Sequence, residues 1–288
     1  MFTLLFFPAT WNLAETTRTI EVAKACSDLF KIVFATYGGP FENLIEEENF
    51  EMMRLKPRLN DKKIEHIYEI DQGKRRGSFF SLEETRQRVK NEVSVMRELC
   101  PLSAVTGFNS TVTLSSKIAK TNLIWLTQST WDIHEMLDQD LATYIDDLDR
   151  PVVNLLPDIV LKWITKKMFS YFGRAILRPL NSVAREYSLR EFKELRELWQ
   201  GDYNLLAEPQ DFSGLRRIPQ TYRYIGPLIA NLPKPVPEEV LNFAAEDKPL
   251  VFFSMGSSGR QQLIKQILEG FKDQPFNVVS PMKTKVNG

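Results

Sequence analysis

Thr3-Leu4-Leu5-Phe6-Phe7, a polar loop, residues 16–29 with Ile20, Ala23, Cys26 and Leu29 at helical spacing, and then Lys31-Ile32-Val33-Phe34-Ala35-Thr36: the reading of this opening decides the fold. The two apolar runs are short and unbroken, as strands buried on both faces are. A helix between them closes a strand-helix-strand unit, whose crossover is right-handed and whose strands are parallel. The rhythm continues. Gly39 and Pro40 interrupt the chain before a helix over 41–48 and a third strand over 50–55. Ser81 and Glu84 have capping-box spacing and open a helix over 81–99. Strands at 103–106 and 122–127 then flank a helix over 110–119. The sequence predicts an α/β domain, Rossmann-like and doubly wound on a mostly parallel sheet, with ligands beyond the carboxyl ends of the strands.

Farther along, the alternation stops and residues 131–190 read as a helical insertion. Residues 131–149 carry seven acidic and no basic side chains; residues 150–190 carry eight basic and two acidic ones, interleaved with Trp163, Phe169, Tyr171 and Phe172. Two readings follow. A basic, aromatic, amphipathic stretch over 150–190 suits peripheral contact with an anionic membrane surface, whereas acidic and basic faces can also close on one another as a helical cap. Strands follow at 202–206 and 222–225. Five prolines from Pro227 to Pro249 read as an extended linker. Beyond it, residues 249–255, 260–271 and 276–280 read as one further strand-helix-strand unit. The expected organisation is a substrate domain over 1–226, a linker over 227–247 and the incomplete start of a second Rossmann-like domain over 248–288, since so few residues cannot cover both faces of a parallel sheet.

Composition narrows the function. Of 288 residues, 43% are apolar and 26% charged, and Lys plus Arg equals Asp plus Glu at 37, so a polyanion such as nucleic acid is not the expected partner. Cys26 and Cys100, alone and far apart, make neither a disulfide framework nor a zinc site and fit a reducing, cytoplasmic setting. Residues 1–8 lack the basic start of a secretory signal, and no apolar run reaches the length of a membrane span.

The loop Ser254-Met255-Gly256-Ser257-Ser258-Gly259 lies between a predicted strand and a predicted helix, where backbone amides and the helix dipole can receive a diphosphate, though small residues there also serve an ordinary tight turn. It has neither Walker nor dinucleotide spacing and is not a nucleophile elbow. Its context is more telling. Tyr224-Ile225-Gly226-Pro227-Leu228, a proline-rich stretch, and Lys248-Pro249-Leu250-Val251-Phe252-Phe253-Ser254-Met255-Gly256-Ser257 resemble the interdomain passage of GT-B glycosyltransferases of the UDP-glycosyltransferase type. Residues 4–8, 17–24 and 32–38 look like that family's first strand, helix and second strand, and residues 100–126 like its later strand-helix-strand stretch.

The resemblance implies a GT-B-like fold and glycosyl transfer from a UDP-sugar or other NDP-sugar to an acceptor hydroxyl, without metal or cofactor. In the family, a histidine in the loop after the first strand acts as general base. Here, with Arg18 set on the family's post-loop arginine, Glu15 takes that place; a carboxylate can serve if burial raises its pKa, and it can equally just support a helix N-terminus. Gly256, Ser257 and Ser258 are the implied donor contacts. Asn12, Asn109, Gln128, Trp131, Asp132 and His134 fall at strand ends where an acceptor can gather, with helix capping as the other use of Asn109 and core anchoring that of Trp131. His66 falls in a charged loop. The family's nucleotide-binding His-Gly-Gly stretch has no counterpart before Gly288, so the expectation is weak donor binding by this chain alone and a need for a complementing donor domain. The alternative is a non-catalytic accessory protein that keeps the acceptor fold and engages a partner or membrane.

Overall fold

The structure, a computed structural model, describes residues 1–140, 155–232, 235–245, 247–255 and 261–281, with Trp131, Ile133, His134 and Gln261 described by backbone alone. The chain divides into two compact units, Met1–Ala230 and Asn231–Gly288.

The first unit is built on a seven-stranded, wholly parallel sheet of order β3-β2-β1-β4-β5-β6-β7. Its strands are β1 (Thr3–Phe7), β2 (Lys31–Thr36), β3 (Glu51–Arg54), β4 (Ser103–Thr106), β5 (Asn122–Thr127), β6 (Tyr203–Leu206) and β7 (Tyr222–Tyr224). Strand order reverses between β1 and β4, the switch point at which α/β sheets open a crevice. Alternate side chains of β1 serve opposite faces. Leu4 and Phe6 pack with Ile20 and Ala23 of α1 (Leu13–Cys26) and with Ile45 of α2 (Asn43–Glu47); Leu5 and Phe7 pack with Val95 and Met96 of α4 (Leu82–Leu99). A third cluster joins α4 to Ile67 of α3 (Asp61–Asp71) and to Ile176, Leu177 and Leu180 of α7 (Asp158–Glu186). The remaining helices of this unit are α5 (Val112–Ala119), α6 (Ile133–Asp138) and α8 (Gln210–Ser213).

Local chemistry sets the helix starts. The capping box of α4 forms, with Ser81 Oγ accepting from Glu84 N and Glu84 returning a bond to Ser81 N at 2.8 Å. Asn60 caps α3 in the same fashion through Lys63 N. His66 therefore lies on a helix and not in a loop. Ile64, Ile67 and Ile70 recur at helical spacing in this highly charged stretch, and Nε2 of His66 sits 3.0 Å from the Ser78 carbonyl oxygen.

In the stretch of opposed charges, Lys162 and Lys166 of α7 pair with Asp140 and Asp138, so acidic and basic faces do meet there. Leu155, Ile159 and Trp163 at its beginning stay exposed. No helix among the described residues is long and apolar enough to cross a membrane.

The second unit holds a two-stranded parallel sheet, β8 (Leu250–Phe252) with β9 (Asn277–Val279), and the helices α9 (Glu238–Ala244) and α10 (Gln261–Gly270). A helix thus interrupts the stretch read as an extended linker. Four of the five prolines precede it in the sequence, Pro237 occupying the N-cap position, where a missing N–H costs the helix nothing.

Candidate functional site

The loop after β1 reaches the sheet's carboxyl end and is held from three sides. Thr10 Oγ1 donates to the Gly38 carbonyl at 2.9 Å, Tyr68 Oη donates to the Trp11 carbonyl at 3.0 Å, and the Trp11 ring stands edge-on to both Tyr68 and Phe108. Asn12 then caps α1, its side chain accepting from Glu15 N at 3.2 Å. The helix starts earlier than its periodicity predicts, and Glu15 falls in its first turn rather than in the loop.

Glu15 is buried against the end of the sheet. Oε1 accepts a hydrogen bond from Arg18 at 2.9 Å, whereas Oε2 is buried without a hydrogen-bond partner. Burial raises the carboxyl pKa; Arg18 opposes this and the charge of Asp71 adds to it. Room for Oε2 exists because position 107, just past β4, is glycine: a Cβ there would lie 2.1 Å from that oxygen.

Asp71, the last residue of α3, is the second carboxylate. It stands at the mouth of a cavity of about 530 Å³ formed by the 73–79 loop, α7, Leu195 and Trp199. The side chain is open to solvent, yet the surrounding protein pushes its carboxyl up to about 6. Ser78 Oγ donates to the Ile176 carbonyl at 3.2 Å and ties the loop to α7 across the cavity. Phe79 lines this cavity and also a small void of about 20 Å³ beside Trp11, Arg88 and Asn109.

Behind that void, Arg88 is buried with its guanidinium over the rings of Tyr37 at 3.5 Å and Phe80 at 4.1 Å. Nη2 donates to Asn109 Oδ1 at 2.9 Å. Glu92, one turn on, accepts from Thr111 and Ser115, both at 2.6 Å, and from Tyr37 at 3.1 Å. Burial raises its pKa, with the Arg88 charge acting against it.

No profile of a known protein family matches the chain. It is 19% identical over 217 residues to the PGL/p-HBAD biosynthesis rhamnosyltransferase of Mycobacterium bovis (strain BCG / Pasteur 1173P2), a match covering 71% of this chain and 44% of that protein. Over 104 residues it is 28% identical to the PGL/p-HBAD biosynthesis glycosyltransferase of Mycobacterium tuberculosis (strain ATCC 25177 / H37Ra), covering 35% of this chain and 24% of that one. The chain thus spans less than half the length of either relative. Among solved structures, the spinosyn forosaminyltransferase SpnP aligns over 97% of this chain and 65% of its own, with TM-score 0.54 and 11% identity. A UDP-glucosyltransferase from Polygonum tinctorium aligns over 96% and 64%, with TM-score 0.53 and 14% identity. The fold is that of the GT-B glycosyltransferases.

On this GT-B frame the predicted site residues do not all gather. Glu15 and Asn12 stand together at the end of β1, but the Asn12 side chain is taken up by its cap. Asn109 is buried and bonded to Arg88, with Thr111 as the N-cap of α5, so its side chain neither caps that helix nor faces the large cavity. Gln128 and Asp132 lie past β5 with Gln200 and Tyr222, around a void of about 10 Å³. Asp132 caps α6 through Glu135 N and accepts from Gln200 at 3.1 Å and Tyr222 at 3.3 Å. Trp131 ends a short 3-10 turn and His134 is the second residue of α6; their side chains lie outside the described residues. So do Gly256, Ser257 and Ser258.

Asp71, Arg88, Glu92 and Gly107 are the residues that the sequence reading passes over. Three of them leave a trace. Arg88 and Glu92 fall in phase with Val89, Val93 and Met96 on the buried stripe of α4, an i, i+4 charge pair on the wrong face for solvent. Asp71 puts a negative charge in the last turn of α3, where the helix dipole disfavours it.

Proposed function

We propose that the chain is the acceptor-binding part of a glycosyltransferase that moves a sugar from a UDP-sugar or other NDP-sugar to the hydroxyl of an acceptor held in the cavity beside Asp71. The observation that carries this reading is a ligand-sized cavity on a GT-B fold, lined by Asp71, whose carboxyl is pushed up to about 6, with the buried carboxyl of Glu15 near enough for the charge of Asp71 to raise its pKa. One carboxylate accepts the proton of the acceptor hydroxyl, whose oxygen attacks the anomeric carbon as the diphosphate departs. Asp71 lines the cavity with its carboxyl pushed up to about 6, while Glu15, outside the lining, keeps one oxygen without a hydrogen-bond partner. In this scheme Gly256, Ser257 and Ser258, which precede α10 in the sequence, are the candidates to receive the departing diphosphate. The scheme uses no metal.

Calorimetric titration of UDP and UDP-glucose into the 288-residue chain, and into a chain extended by the C-terminal part of the mycobacterial rhamnosyltransferase, measures donor binding first. In the extended protein, with a panel of phenols as acceptors, Asp71→Asn and Glu15→Gln then report on the base. Loss of about 10²- to 10⁴-fold in kcat in one of them is the expected outcome. Near wild-type turnover in both would sink the proton-transfer role.

A second reading has its own observation. Leu155, Ile159 and Trp163 form an exposed apolar stripe beside Lys167, whose ammonium lies 5.8 Å from the Trp163 ring centre, a composition that suits peripheral attachment to an anionic bilayer. Co-sedimentation with vesicles containing phosphatidylserine, lost in Ile159→Ser/Trp163→Ser, is expected if the protein engages membranes; equal recovery of both proteins in the supernatant rejects it.

A further inference from the structure

We propose that the cavity between the 73–79 loop and α7 selects an amphiphilic anion, an aromatic or aliphatic body carrying one carboxylate, sulfonate or phosphate. It rests on the transferase reading in calling this molecule the acceptor; the binding itself does not need it. At about 530 Å³ the cavity has the size of sites that enclose a small organic ligand. Its inner surface is apolar: Phe79 is buried at its inner end, and Phe169 and Phe172 continue the lining along α7. Arg76, Arg174 and Arg178 also line it, and among the described residues no carboxylate lies within ion-pair distance of any of the three. The Arg76 guanidinium lies 5.8 Å from the centre of the Phe172 ring, so at this point cationic and aromatic surfaces are contiguous. A planar guanidinium binds oxyanions in fork geometry, and beside a low-dielectric wall that attraction is screened less than in open water. A neutral ligand of the same shape gains the apolar contact and leaves the charges of Arg76, Arg174 and Arg178 facing no more than the single carboxyl of Asp71 in the lining. The site therefore discriminates on charge as well as on shape.

The test uses the full chain and two fluorescent probes, 8-anilinonaphthalene-1-sulfonate and its uncharged parent N-phenyl-1-naphthylamine. The sulfonate is expected to bind with single-site saturation and about tenfold more tightly than the neutral probe, with the difference shrinking at high salt. In Arg174→Gln/Arg178→Gln, two exposed positions whose substitution spares the core, the gap closes through loss of sulfonate affinity while the neutral probe is unchanged. Ala175→Trp, which fills the cavity from the exposed side of α7, weakens both. Equal affinity of the two probes, or sulfonate binding untouched by these variants, overturns the proposal. Anion selectivity without any transfer in the extended protein counts against the transferase reading alone; transfer to phenols without anion selectivity counts against this inference alone.

Discussion

Gly107 and Gly201 separate two kinds of close approach. A Cβ at 107 meets the Glu15 carboxylate, the movable end of a side chain, whereas a Cβ at 201 meets the Leu123 carbonyl oxygen at 2.4 Å, which belongs to β5 and cannot withdraw. Gly201→Ala should cost the larger share of the ~1–3 kcal/mol typical of overpacking, and Gly107→Ala the smaller, as read from urea unfolding. If Glu15 is the base, Gly107→Ala nonetheless cuts turnover of the extended enzyme by displacing that carboxylate; unchanged turnover argues against Glu15. Asp71 gives a prediction in pH. Its pKa is 3.8 in the unfolded reference and about 6 in the fold, so the folded state holds the proton more tightly. The corresponding stability is complete below about pH 4 and is lost as pH rises through about 6. Asp71→Asn should therefore raise Tm above pH 6 and leave it unchanged near pH 4, by scanning calorimetry; a uniform shift at both would show that the effect is not ionisation. At this scale the sequence was least legible. Glu15 could be placed by position alone, but its buried, unpartnered oxygen depends on a glycine far away in the chain, and Asp71 was hidden because the dense charges of α3 masked its three isoleucines.

At the scale of the element, most strands of the first unit could be read directly. Strands β1, β2 and β5 each contain a continuous apolar run because both their faces are covered, and such runs are hard to mistake when turns bound them. The start of α4 was equally readable, since a capping box is a local interaction that needs no tertiary partner. Ser81→Ala should destabilise the protein by about 1 kcal/mol, measured by urea denaturation, because it removes the acceptor for Glu84 N; an effect indistinguishable from zero would mean that the Lys63–Glu84 ion pair at 2.7 Å holds this end by itself. Helix α9 was not readable. Prolines at 233, 235 and 237 dominate the pattern, although the last of them fits the N-terminal boundary of a helix as well as it fits a linker.

At the scale of the molecule, the two units differ in how much they bury. Strand β1 has Leu5, Phe6 and Phe7 fully covered, while in β8 Phe252 is 70% and Leu250 39% exposed. Among the described residues of the second unit, two strands and two helices form little core beyond Ile264 and the Phe253, Phe271 and Phe276 contacts. Hydrogen exchange should therefore find the amides of β8 and β9 exchanging much faster than those of β1 and β4; comparable protection would show that the second unit is stabler than its burial implies. The doubly wound class was legible in the sequence, whereas the cavity was not, because it is assembled from a loop after α3 and from α7, segments far apart in the chain. The parallel pairing of β5 with β6 carries one more consequence. Thr127 pairs beside Leu206, so the sheet leaves at one point and resumes next to it, with the whole of α6 and α7 in the detour. The entropy of closing such a detour grows only logarithmically with its length, by ~0.6 kcal/mol per doubling. Closure of the chain therefore sets little limit on the length of that segment, and what holds α7 in place is its packing against α3 and α4.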